Sequence, residues 1–111
     1  MVTIEEIRAA ERSVLQALCQ GAGGVTLLGE GARILHGCRF CDPLHQIIFE
    51  TLCEIGPAAP ALVRELLAAR LTRKGFPDVD LDPFFEPHGL TAGAAMALMK
   101  RLRSEQAPGG D

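Results

Sequence analysis

Tryptophan and tyrosine are both absent from this chain of 111 residues, and phenylalanine occurs only 5 times. A core with no Trp or Tyr and few Phe leans on aliphatic side chains, and here the apolar share leans on Ala and Leu. β-branched residues are sparse, so the mix favours helices over strands. No segment alternates apolar and polar residues with period two, which leaves no candidate half-buried strand. A basic excess is also missing. The formal charge is −3, so nothing drives the chain onto phosphate backbones or anionic lipid, and no direct nucleic-acid contact and no membrane is expected. No run approaches the about 18 apolar residues that a membrane span needs. The opening MVTIEEIRAAER is acidic and amphipathic, unlike a signal peptide. The expectation is a soluble cytoplasmic protein whose thiols stay reduced.

What is present reads as helices with explicit starts and stops. Thr3 and Glu6 form a capping box, after which Ile4, Ile7, Val14, Leu15 and Leu18 recur on one face up to Cys19. Gly21, Gly23 and Gly24 end that helix. Val25, Leu28, Ala32, Ile34 and Leu35 suggest a second helix, weakened by Gly29 and Gly31. Asp42 is an N-cap with Pro43 at the first helical position, and Leu44, Ile47, Ile48, Leu52 and Ile55 follow as a stripe that Gly56-Pro57 stops. Pro60 opens a helix that carries Leu62, Val63, Leu66, Leu67 and Leu71 inward. Arg70, Arg73 and Lys74 suit its negative end, and Gly75 its left-handed cap. GFPDVDLDPFFEPHG allows one helical turn near Pro83 to Glu86. Thr91 caps a last helix to about Glu105, with Ala95, Met99 and Leu102 in register. The fold class is therefore all-α, with five to six helices: one domain over residues 1–105, and a tail over 106–111.

The chemistry-bearing residues concentrate in HGCRFCDPLH. His36, Cys38, Cys41 and His45 supply the four thiolate or imidazole ligands of a structural zinc site, so a small zinc-stabilised regulatory protein is one reading. Against it stand the lack of a second C-x-x-C and the position of Cys41 beside the cap, with His45 inside the helix. A redox C-x-x-C is disfavoured, because Asp42 opposes a neighbouring thiolate and no βαβ pattern is present. Cys19 and Cys53 read as small apolar residues. GAGGVT and GEGARI do not complete a phosphate-binding loop, and no G-K-[ST] occurs, which excludes nucleotide hydrolysis. The acidic run Asp78, Asp80, Asp82 and Glu86 reads as a solvated loop. No catalytic residue, cofactor or resident metal is expected, and the chain reads as a non-enzyme. Helix-turn-helix DNA binding is opposed by the acidic balance.

Two segments together resemble the N-terminal domain of DnaB-type replicative DNA helicases. AERSVLQAL, from Ala10 to Leu18, is similar to that family's opening helix, roughly E-A-E-x-S-V-L-G-A-L. FCDPLHQIIF is similar to F-Y-x-P-x-H-x-x-I-F, matched at Phe40, Pro43, His45, Ile48 and Phe49. Leu62 to Gly75 and Pro87 to Arg103 are similar to the family's later helices, so the resemblance spans nearly the whole chain. It does not extend to the family's ATPase domain, and FPDVDLDPFF replaces the family's Gly-rich stretch. The resemblance implies a compact bundle plus a C-terminal helical hairpin made of the last long helices. It further implies a domain that self-associates through that hairpin, as a dimer or higher, and binds primase, helicase or loader proteins. Ala92, Ala95, Met96, Met99 and Leu102 would then face the partner; the alternative is that this face closes the domain's own core.

Overall fold

A helix needs its first N–H groups satisfied, and the chain supplies an acceptor at each start whose cap is a polar side chain. The computed structural model describes residues 3–20, 24–35, 40–56, 58–86 and 90–106. Among the described residues it contains six helices and no strand: α1 (Ile4–Cys19), α2 (Gly24–Ile34), α3 (Pro43–Ile55), α4 (Pro60–Arg73), α5 (Asp82–Phe85) and α6 (Ala92–Gln106). At α1, the Glu6 N–H donates to Thr3 Oγ1 at 3.1 Å. At α3, the Leu44 N–H donates to Asp42 Oδ1 at 2.9 Å, with Pro43 in the first turn. At α6, the Ala94 N–H donates to Thr91 Oγ1 at 3.1 Å. These are the three caps that the side-chain chemistry predicts.

The helix stops are equally local. Gly75 has φ +96°. Around it the Phe76 N–H donates to the Leu71 carbonyl at 2.8 Å and the Gly75 N–H to the Thr72 carbonyl at 3.1 Å. This pair of bonds is a Schellman motif, open to glycine because the position is left-handed. Gly24 is the first residue of α2, not part of the linker expected there. Residues 107–111 of the expected tail lie outside the described residues, as do Gly21, Gly23 and Pro57.

α1 is the centre of the packing. It lies against α3, α5 and α6, while α2 covers α6 and α4 covers α3. The core draws on Val14, Leu15 and Leu18 from α1, Ile48 and Leu52 from α3, Val63, Leu67 and Leu71 from α4, and Phe84 from α5. The radius of gyration is 13.3 Å, the value expected of one globule of roughly 100 residues. Among the described residues no helix is long and apolar enough to cross a membrane.

α6 runs back onto α1 and α2, so Ala95, Met99 and Leu102 are core residues, 0–2 % exposed. The apolar face expected to meet a partner instead closes this domain's own core, and Ala92 and Met96 lie half-buried at its edge. The physical reason is volume: without Trp or Tyr, the space between α1 and α2 is filled by the long Met99 side chain. Two further expectations change. Leu62 is 47 % exposed and Ile4 59 % exposed, and Leu66 is half-buried outside the core cluster. α4 cannot turn all five of its large apolar residues toward α3 at once.

The glycines of α2 divide by what surrounds them. A Cβ on Gly31 would stand 3.1 Å from Met99 Sδ, whereas one on Gly29 would meet nothing within 4 Å. Gly31 is thus where α6 approaches α2 closely, and Gly29 only adds backbone entropy to the unfolded chain. Gly29→Ala should therefore stabilise the protein by about 0.4–1 kcal/mol in urea titrations. Gly31→Ala should gain less, because Met99 has to move. A Gly29→Ala protein less stable than wild type would contradict the placement of α2.

Candidate functional site

The entrance to α3 holds most of the residues singled out by their chemistry. Its backbone donors are matched one by one. The Phe40 N–H donates to Gln46 Oε1 at 2.7 Å, and Gln46 in turn donates to Glu50 Oε2 at 2.9 Å. The Cys41 N–H donates to Glu11 Oε2 at 2.6 Å and the Asp42 N–H to Glu11 Oε1 at 3.4 Å. Pro43 has no N–H to satisfy, and Leu44 donates to Asp42.

Glu11 comes from the middle of α1 and is fully buried. Its carboxylate lies at the positive end of the α3 dipole, where a negative charge is favoured. It also takes the Nδ1–H of His45, at 2.8 Å, in a ring that is 3 % exposed. His45 is in turn seated edge-on against Phe84 of α5, with ring centroids 6.0 Å apart at 90°. Its Nε2 stands 4.0 Å from Asp42 Oδ2. A buried carboxylate is costly unless hydrogen-bonded, and here three donors from α3 and its lead-in meet that cost.

Most of the expected residues have a place in this arrangement. Phe40 and Phe49 are buried and stacked at 5.3 Å with a 33° tilt, Ile48 is fully buried, and Pro43 starts the helix. Cys41 is half-buried, with its backbone N–H given to Glu11. His36 and Cys38 lie outside the described residues. Among the described residues no three His, Cys, Asp or Glu side chains cluster as metal ligands, and the Nδ1 of His45 is committed to Glu11. GEGARI forms part of α2 and is no phosphate loop. Asp82 pairs with Arg64, which also stacks on Phe85 at 5.3 Å, so part of the acidic run ties α4 to α5.

Two features escaped the sequence reading. Glu11 sits on the apolar face of α1, one turn after Ile7 and one turn before Leu15; a carboxylate in that stripe signals a buried acceptor. Gln16 and Gln20, one turn apart, reach the end of α5: Gln16 Nε2 donates to the Pro83 carbonyl at 2.6 Å, and Gln20 Nε2 to those of Phe84 and Glu86 at 3.1 and 2.5 Å. α1 therefore caps the start of α3 with one side chain and the end of α5 with two. Compared with protein-family models, with curated proteins and with solved structures, the chain matches none.

Glu11→Ala should destabilise the protein by roughly 2–5 kcal/mol, combining a cavity with buried donors that lose their acceptor. In a double-mutant cycle with His45→Ala, a coupling of about 0.5–3 kcal/mol is expected; strictly additive losses would show that the contact carries no energy. The thiols give a separate check. Burial pushes the Cys19 thiol up to about 12. Burial, and then the Glu50 and Glu54 charges, also raise that of the exposed Cys53. A raised thiol keeps its proton in the folded state while the unfolded chain loses it, so stability declines as pH rises above the ordinary thiol value. Peptide mapping after alkylation should find Cys53 modified in the native protein and Cys19 only in denaturant. Modification of native Cys19 would contradict its burial.

Proposed function

We propose that this chain is a non-catalytic protein-interaction module of DNA replication, built like the N-terminal domain of DnaB-type replicative helicases and acting in the cytoplasm. The observation that carries the reading is the meeting of Glu11 with Cys41, Asp42 and His45. The two segments that carry the resemblance, Ala10–Leu18 and Phe40–Phe49, lie on different helices and are joined by that one carboxylate. A chance match of two short motifs gives no reason for their signature residues to be mutual partners across some thirty positions of chain. The all-α architecture accords with a docking role.

In this reading the domain presents a rigid helical surface to primase, to a helicase loader or to the helicase itself, and the Glu11 knot keeps α1, α3 and α5 in fixed register. Co-elution of the purified chain with candidate primase, helicase and loader proteins is the direct test, with binding to at least one expected. Absence of binding to all three, at concentrations up to about 100 μM where even weak transient complexes are populated, would end the proposal.

A further inference from the structure

α4 carries more apolar side chains than the core can take. Val63, Leu67 and Leu71 are buried, on the helix that packs against α3. Leu62 is 47 % exposed, Leu66 is half-buried without joining the core cluster, and Ala69 is exposed. These three recur at spacings of four and three, and the series continues to Arg73, the last residue of α4. At about 100° per residue, this second stripe is centred about 130° around the helix from the buried one. A 4-3-4 spacing is that of the seam of a helix that packs on another helix.

The charges on this face select the occupant. Glu65 and Arg73 are exposed, and neither makes an ion pair or side-chain hydrogen bond among the described residues. The other cations of α4 and its cap are engaged: Arg64 with Asp82, Arg70 and Lys74 with Glu54. We propose that α4 is a homodimerisation helix, pairing antiparallel with α4 of a second copy across a two-fold axis between Leu66 and Ala69. In that register Leu66 meets Ala69 of the second copy, and Leu62 meets the aliphatic stem of its Arg73. The Arg73 guanidinium comes within about one helical turn of the other Glu65, twice by symmetry. Parallel pairing would set Glu65 on Glu65 and Arg73 on Arg73. The face is thus self-complementary in one direction only. This inference goes beyond the proposed function, which names no self-association, and gives a surface for the dimer expected from the sequence in place of the α6 face that the core consumes. The helix is short, so the dimer is weak and concentration-dependent.

Sedimentation equilibrium of the full chain over a wide concentration range tests this. A reversible monomer–dimer equilibrium is expected, and Leu66→Asp should raise its dissociation constant by at least about tenfold. Glu65→Arg and Arg73→Glu should each weaken the dimer and, combined in one chain, restore it; these exposed positions keep the test open if Leu66→Asp does not fold. A monomer at every concentration, or a dimer indifferent to all of these changes, overturns the inference. Either result leaves the interaction reading standing if primase, helicase or loader is still captured. A chain that dimerises through α4 and captures none of them keeps this inference and loses that reading.

Discussion

A single buried carboxylate, Glu11, decides how the helices of this protein meet. It lies fully inside, on the central helix, and takes hydrogen bonds from two backbone N–H groups ahead of α3 and from the His45 ring. Removing water from a carboxylate is expensive, so the folded state tolerates it only where those donors are already aimed at it. That requirement is geometric. It sets where α3 begins relative to α1, and it orients His45, whose ring then gives Phe84 of α5 an edge to pack on. Gln16 and Gln20 continue the same logic on the opposite side of α1, by holding the last carbonyls of α5. A helix of four residues has little stability of its own, and α5 exists because α1 closes its end.

The rest of the molecule is arranged around this knot with ordinary apolar packing. α6 closes over α1 and α2, using the flexible Met99 and the missing Cβ of Gly31. α4 covers α3 and is secured at its C-terminal end by Lys74, which reaches both Glu54 and the buried Thr51 hydroxyl. The Glu11 site is a structural knot in which polar side chains meet the needs of a helix start. The ligand-type side chains of HGCRFCDPLH illustrate this. Cys41 contributes its backbone N–H and His45 its Nδ1–H to a helix entrance, roles that depend on hydrogen bonding.

Much of this was legible beforehand, and the limits have physical causes. The helix starts at Thr3, Asp42-Pro43 and Thr91, and the stop at Gly75, follow from interactions within a few residues, so the motifs announce them. The burial of α4 did not follow, because its apolar residues are spread around the helix and only the placement of α3 selects Val63, Leu67 and Leu71 over Leu62 and Leu66. The face of α6 was ambiguous for the same reason: an apolar stripe serves a core or an interface equally well until neighbouring helices claim it.

Local chemistry in the sequence by itself therefore determined the all-α class, the number of helices and most of their ends, since caps, prolines and left-handed glycines act over one turn. Only the tertiary structure decided which faces are spent inside. It also paired Glu11 with His45, 34 positions away, and Gln16 with Pro83, 67 positions away. Such pairings depend on how whole helices cross, and a buried polar group names its need for a partner without naming the partner.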